Sequence, residues 1–343
     1  MSQVSGFAAL ERNGALVPFD FERREPGPHD VAISIAYCGI CHTDLHKIGK
    51  WGQEFPLVPG HEIVGTVSAV GSAVSKFKVG DHAAIGVMVD SCRECEACLR
   101  GDEIYCRKFP TSTYDDVDRV DGSRTRGGYS SSYVADERYV HQLPANLDLA
   151  ASAPLLCAGV TTFSPLQHWK VGPGMTVGVV GIGGLGHLGV KFARALGARV
   201  VAFTTSPKKA EAALALGAHE AVLSTDPKQM AAQTQRMDFI LDTVAVTYPL
   251  DPMLNALKLD GTLCSVGLPD KFDFSSFSLA MGRRSLASSG AGGTNVTREM
   301  LEFCGKHEIV ADIELVKPQD LPKAFERLVK ADVRYRFVLD LRR

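Results

Sequence analysis

The chain has 343 residues, a length that suggests about two domains rather than one core. With 45% hydrophobic and 22% charged residues and a formal net charge of −2, it reads as a globular protein with no charge excess to draw nucleic acid or an anionic membrane. The opening MSQVSGFAALERNG has no basic segment leading into a long apolar one, and TVGVVGIGGLGHLGV is too short and glycine-rich for a membrane span, so the expectation is a soluble, cytoplasmic protein.

The first 150 residues are predicted to be rich in short strands and loops, with DVAISIAYCGI and HEIVGTVSAVG each followed by turn residues. From residue 151 the texture changes to strands alternating with helices. TVGVVGI reads as a buried strand, His187 to Leu196 as a helix, RVVAF as a second strand and Pro207 to Leu216 as a helix stopped by Gly217. AVL, DFILDTV, TLCSVGL and SLASSG complete about six strands, the pattern of an α/β doubly wound parallel sheet over residues 151–286. Beyond it, Asp320 is placed to cap a helix presenting Leu321, Phe325, Leu328 and Val329 on one face, with Pro322 in its first turn. YRFVLDL reads as a final strand, and residues 287–343 are assigned with 1–150 to one domain.

Nine cysteines, an odd and clustered set, point to metal ligation rather than disulfides. Cys92, Cys95, Cys98 and Cys106 follow a C-x2-C-x2-C-x7-C spacing, which can enclose a tetrahedral Zn²⁺ with no open position. An iron–sulfur cluster is the rival occupant. The interleaved Arg93, Arg100, Arg107 and Lys108 would balance the charge of four thiolates on zinc. A second set is Cys41 in GICHTDLH, His61 in PGHE and Cys157 in PLLCAG. Two thiolates and one imidazole leave a fourth zinc position open for a substrate oxygen, the arrangement of a catalytic site. The remaining Cys38, Cys264 and Cys304 are expected to be small buried apolar residues.

Gly181, Gly183 and Gly186 form G-x-G-x-x-G between a strand and a helix, where backbone amides and a helix N-terminus favour a pyrophosphate. NAD-binding chains place an acid at the end of the next strand. Here the sequence is VVAFTTSPKK, with Thr204, Thr205, Ser206, Lys208 and Lys209, which suits the 2′-phosphate of NADP(H). Ser206–Pro207 also has the form of an ordinary helix N-cap with surface lysines, and the two readings are compatible.

GICHTDLH, PGHEIVG, the four-cysteine loop, PLLCAGVTT and GIGGLGHLGVKFA together resemble the zinc-dependent medium-chain alcohol dehydrogenases, in particular the cinnamyl-alcohol-dehydrogenase group and its bacterial broad-range aldehyde reductases. The resemblance runs nearly end to end. It implies a GroES-like catalytic domain beside a Rossmann domain, two zinc ions per chain, NADP(H), an aldehyde or alcohol substrate, and a homodimer or tetramer. It makes Cys41, His61 and Cys157 the catalytic zinc ligands, with Glu62 an acid able to approach that zinc, and Cys92, Cys95, Cys98 and Cys106 the structural ligands. It implies that Thr43 lies beside the reacting oxygen, that His46 ends a proton relay, and that Asp44 orients the histidine ligand. It implies cofactor contacts from His42, Thr161, Gly184, Leu185, Thr243, Val266 and Gly267, with those of the glycine turn and of Thr204, Thr205, Ser206 and Lys209. Trp51 and Met88 are apolar candidates for the substrate pocket. Two other functions fit the same motifs: an NAD-linked polyol or secondary-alcohol dehydrogenase, and a zinc- and nucleotide-binding protein without turnover.

Overall fold

The computed structural model describes residues 1–342. The chain forms two compact units, Met1–Cys157 with the segment from Gly292 onward, and Ala158–Ala291. The change of sequence texture at residue 150 comes before the structural boundary. The turns Leu149–Ser152 and Ala153–Leu156 still bury Ala150, Ala151, Leu155 and Leu156, and Ala151 carbonyl accepts the Ala311 amide of the same unit.

In the first unit, the long strand Asp30–Ile40 is the organising element. It pairs antiparallel with Ile63–Val70, Ser132–Asp136 and the late strand Arg336–Asp340, which carries Ile313–Val316 parallel on its other side. The sheet continues from Ile63–Val70 through His82–Ile85 to Val140–Gln142. Ile33, Ile35, Ile40, Ile63, Val67, Ile85, Phe337 and Leu339 make its core, so the chain's last strand closes a sheet that begins three hundred residues earlier. The helix Leu321–Val329 forms as predicted and buries Leu321, Ala324 and Leu328. Two details differ. Asp320 makes no side-chain cap, because a short 3-10 turn, Pro318–Asp320, feeds the helix directly, and Val329 at its end is 70% exposed.

The second unit is a six-stranded, wholly parallel sheet in the order Glu220–Leu223, Arg199–Thr204, Thr176–Val180, Met237–Asp242, Leu257–Ser265, Ser285–Ser288. Its strands Arg199–Thr204, Thr176–Val180 and Met237–Asp242 are almost wholly buried because helices such as Gly186–Ala195, Pro207–Ala215 and Asp251–Ala256 supply the crossovers. The order reverses between Thr176–Val180 and Met237–Asp242, the place where such sheets open a ligand crevice at their C-terminal edge. No single helix among the described residues is long and apolar enough to cross a membrane.

Candidate active site

Four potential ligand residues of the first unit converge. Side-chain ligand atoms of Cys41, His61, Glu62 and Cys157 all lie within 4.8 Å of one another. Cys41 and His61 are brought together by the pairing of Asp30–Ile40 with Ile63–Val70, since each stands at the end of one of these strands. Cys157 ends the turn Ala153–Leu156, and its sulfur lies 4.0 Å from that of Cys41. Tetrahedral zinc with sulfur at about 2.3 Å requires thiolates about 3.8 Å apart, so the pair fits the ion.

Asp44 is the hub behind this site. It is fully buried and accepts the Cys41 amide at 2.9 Å, which caps the short helix His42–His46. Its carboxylate also accepts the Gly60 amide at 3.2 Å and the hydroxyls of Tyr114 at 2.7 Å and Tyr129 at 3.2 Å. One oxygen sits 3.2 Å from His61 Nδ1, which leaves Nε2 as the nitrogen free to bind a metal. Neither tyrosine was singled out by sequence reasoning, because neither carries a local motif.

Glu62 is fully buried, and burial pushes its carboxyl up to about 7 against the pull of Arg336. Arg336 Nη2 donates to Glu62 Oε1. This buried arginine was also missed; the only signal was a cation inside the apolar run YRFVLDL. Gly39 is required here by close approach, since a β-carbon on it would stand 1.8 Å from Glu62 Oε2. The other Glu62 oxygen, Oε2, has no partner in the protein.

A hydrogen bond from Cys157 holds the Cys41 thiol well below its ordinary range, and the Cys157 thiol is raised in return. Burial disfavours a charged His61, yet Asp44 and Cys41 raise its pKa well above the usual value. A divalent cation bound here would be held by the sulfurs of Cys41 and Cys157 and the imidazole of His61, which would give up their protons to bind it. The donor set therefore fits zinc.

Thr43 and His46 lie three residues apart on the helix His42–His46 and so share a face. Thr43 Oγ1 is 3.6 Å from Cys41 Sγ, and His46 is exposed. The His46 ring stacks on Trp51, centroids 4.4 Å apart, at the end of a π-helical turn, Lys47–Trp51. Trp51 is half exposed and Met88 is buried. His42 is exposed at the start of the same helix.

The four-cysteine loop closes as a second cluster. The Cys95 and Cys98 sulfurs are 3.4 Å apart, those of Cys92 and Cys98 3.8 Å, and all four with Cys106 lie within 4.8 Å. Backbone amides aimed at sulfur, those of Arg107 and Cys98, bring Cys95 down to about 6. The interleaved cations also meet carboxylates. Arg93 bonds Asp90 and Asp136, Arg100 bonds Glu96, Arg107 reaches Glu96 and Lys108 bonds Glu94. Each of these cations meets a carboxylate, in the loop or on a strand beside it, and at Cys95 it is peptide N–H groups that face the sulfur. Cys38, Cys264 and Cys304 are fully buried, as expected of small apolar residues.

In the second unit the glycine turn follows Val180. Gly181 has φ +83°, and a β-carbon on Gly186 would meet Gly181 carbonyl oxygen at 1.8 Å, so both positions need glycine. At Gly183 a β-carbon would meet nothing within 4 Å, which leaves open backbone for a pyrophosphate. Gly184 and Leu185 are half-buried in this turn, Thr243 donates to Val180 and Gly181 carbonyls, and Val266 and Gly267 follow the next strand. Thr161 is half-buried on the helix Ala158–His168. The strand Arg199–Thr204 carries no acid at its end. Thr204 is buried and accepts the Ser206 amide at 3.3 Å, while Ser206 Oγ caps the next helix by accepting the Lys209 amide at 3.4 Å. Thr205, Lys208 and Lys209 are exposed.

Known proteins show the same plan. Residues 27–145 match the family described as Alcohol dehydrogenase GroES-like domain, and residues 184–306 match Zinc-binding dehydrogenase. The chain is 51% identical to the aldehyde reductase YahK of Escherichia coli strain K12, over 99% of each. Among solved structures, a cinnamyl alcohol dehydrogenase of Sorghum bicolor (SbCAD4) superposes with TM-score 0.94 at 43% identity, covering 99% of this chain and 98% of that one. The CAD of Helicobacter pylori, solved in complex with NADP(H), gives TM-score 0.91 at 40% identity over the same shares. With both halves matched and a relative this similar along its whole length, the chain belongs to the zinc-binding alcohol dehydrogenase family and is an oxidoreductase of alcohols and aldehydes.

Proposed function

We propose that the protein transfers hydride reversibly between NADP(H) and an aldehyde or primary alcohol, with aromatic and medium-chain aldehydes as the substrates. The observation that carries this reading is the ligand set Cys41, His61 and Cys157, with Asp44 holding the other nitrogen of His61. Zinc bound there supplies Lewis acidity toward the substrate oxygen, and NADP(H) supplies or accepts the hydride.

The protein's own residues supply the rest. Asp44 fixes the ring of His61 and the amide of Cys41, so two ligands are oriented by one carboxylate. Arg336 donates to Glu62 Oε1, the oxygen 4.0 Å from His61 Nε2, and so holds this acid beside the ligand set. Thr43, whose hydroxyl both donates and accepts, holds the proton at the buried end of the helix face, and His46 passes it to solvent at the exposed end. The four-cysteine loop holds a structural zinc. Hydroxyls and ammonium groups of Thr205, Ser206 and Lys209, with no carboxylate among them, receive the 2′-phosphate. Reduced thiol ligands suit a cytoplasmic protein. The open edge strand Ser285–Ser288, reached through a segment exposing Phe277 and Met281, suits a homodimer.

The test is NADPH consumption across a panel of aromatic and medium-chain aldehydes, beside NAD reduction with polyols and secondary alcohols, on protein of measured zinc content. Two zinc ions per chain and aldehyde turnover with NADPH are expected. Faster polyol oxidation with NAD makes it a polyol dehydrogenase instead, and zinc-loaded protein inert in both arms makes it a binding protein. Replacing His46 by Gln is expected to slow alcohol oxidation about 10- to 100-fold near neutral pH, the lower range of acid–base assistance. The pH–rate profile is also expected to change shape, because the variant lacks the side chain at the solvent end of the proposed path. A profile identical to wild type places His46 outside the proton path.

A further inference from the structure

Asp242 ends the strand Met237–Asp242 and is fully buried, next to the glycine turn but outside it. In register it stands beside Val180 on one neighbouring strand and Ser265 on the other. Its Oδ1 accepts the Val244 amide at 3.0 Å. The segment held in this way, Thr243–Val244, is what braces the turn. Thr243 Oγ1 donates to Val180 carbonyl at 2.8 Å and to Gly181 carbonyl at 2.9 Å, and its amide donates to Val180 carbonyl at 3.0 Å. The contact is tight on both sides, since a β-carbon on Gly181 would meet Thr243 Oγ1 at 2.9 Å and one on Gly267 would meet Val244 carbonyl oxygen at 2.2 Å.

A buried carboxylate ordinarily has a cationic partner, because an unpaired one costs free energy. Asp242 has none. Tyr248 on the following segment faces it without a well-aligned hydrogen bond, Cys264 and Ser265 lie on the adjacent strand and Val180 on the other. Among the described residues no Lys, Arg, His or second acid opposes it. A charge held at such a cost beside a nucleotide turn calls for a function.

We propose that Asp242 is a positioning residue for the dinucleotide: its ionised carboxylate clamps the Val244 amide, fixes Thr243 against Val180 and Gly181, and so couples cofactor affinity to pH. Burial pushes this carboxyl up to about 6, so the clamp changes strength within the weakly acidic range. Above that pH the bond to Val244 is charge-assisted; below it the acceptor is a neutral acid and the hold is weaker. The stability sign runs the other way. A folded-state pKa raised above the unfolded value means stability that is full below about pH 4 and is lost as pH rises through about 6. The clamp therefore trades stability for nucleotide affinity at neutral pH.

This inference rests on the dinucleotide reading of the glycine turn, and one experiment separates the two. Nucleotide fluorescence titrations of the zinc-loaded protein give dissociation constants for NADPH and NADH from pH 5 to pH 8, in wild type, Asp242→Asn and Tyr248→Phe. NADH is included because the 2′-phosphate of NADPH titrates in this range. Asn keeps an acceptor for Val244 but no charge, so it stands for the protonated acid. Wild type is expected to bind both nucleotides about fivefold tighter than Asp242→Asn at pH 8, the difference between charge-assisted and neutral hydrogen bonds, and equally at pH 5. Without nucleotide, the Tm of Asp242→Asn gains on wild type from pH 5 to pH 8. Tyr248→Phe removes a hydroxyl that favours the ionised form and moves the wild-type midpoint upward. Parallel affinity profiles in wild type and Asp242→Asn, or an unmoved midpoint in Tyr248→Phe, overturn the clamp. Wild-type protein that binds neither nucleotide at any pH overturns the dinucleotide reading as well.

Discussion

Cys157→Ala is expected to lower kcat/KM for aldehyde reduction by at least about 10³-fold while leaving the protein folded. The reasoning starts from coordination. Three protein ligands are the fewest that hold catalytic zinc with one position open, and removing one thiolate leaves Cys41 and His61 with an ion they cannot retain. The fold does not depend on it. Cys157 lies at the end of a short turn and is only half-buried, whereas the sheet core is carried by residues such as Ile33, Ile63 and Phe337. Zinc content is expected to fall from two per chain to one, with an unchanged circular dichroism spectrum. Cys41→Ala and His61→Ala are expected to give the same loss, although His61→Ala also strands Asp44 beside an empty space and so costs more stability. Near-normal turnover in Cys157→Ala with both zinc ions retained would mean that the chemistry lies elsewhere.

Why Cys41, His61 and Cys157 were legible in the sequence while Arg336 was not is a matter of how each is encoded. Candidate metal ligands are rare residue types in glycine-flanked turns, so GICHTDLH and PGHE announce themselves locally. The four-cysteine loop is more legible still, since one short segment supplies all four candidate ligands. The parallel sheet was readable because buried strands are continuously apolar and end in turn residues. The bond from Arg336 to Glu62 joins residues 274 positions apart, and no local pattern marks either partner. The same holds for Tyr114 and Tyr129, whose hydroxyls reach Asp44 only because loops fold over the helix His42–His46. The cations of the cysteine loop are a related case. Composition counts cations, but which acid each arginine meets is decided by loop geometry. Domain texture was readable, whereas the boundary moved to Cys157 because a helical turn can belong to a strand-rich unit.

Thr204→Asp is expected to lower the ratio of kcat/KM with NADPH to kcat/KM with NADH by at least tenfold. Thr204 ends the second parallel strand, at the position where NAD-binding chains carry an acid that holds the ribose hydroxyls. Its burial bears on whether the substitution is tolerated. The Thr204 hydroxyl accepts the Ser206 amide, and an aspartate oxygen can accept the same bond, so the turn into the helix Pro207–Ala215 is preserved. What changes is the charge. A like-charge pair at about 4 Å in an effective dielectric near 20 costs about 4 kcal/mol, and screening at the exposed Thr205, Lys208 and Lys209 reduces this. A remaining third is still about tenfold in binding. NADH carries no 2′-phosphate and gains a partner for its ribose, so the two cofactors move in opposite directions. Lys209→Ala is the complementary measurement, because it removes a cation without adding an anion. It is expected to weaken NADPH several-fold and leave NADH unchanged, as a side chain at a helix start whose amide is already capped by Ser206 has little structural work to lose. If Thr204→Asp weakened both cofactors equally, the strand end would be a packing site and the 2′-phosphate would be bound elsewhere. If wild type already favoured NADH, the absence of an acid after the second strand would have no bearing on cofactor choice.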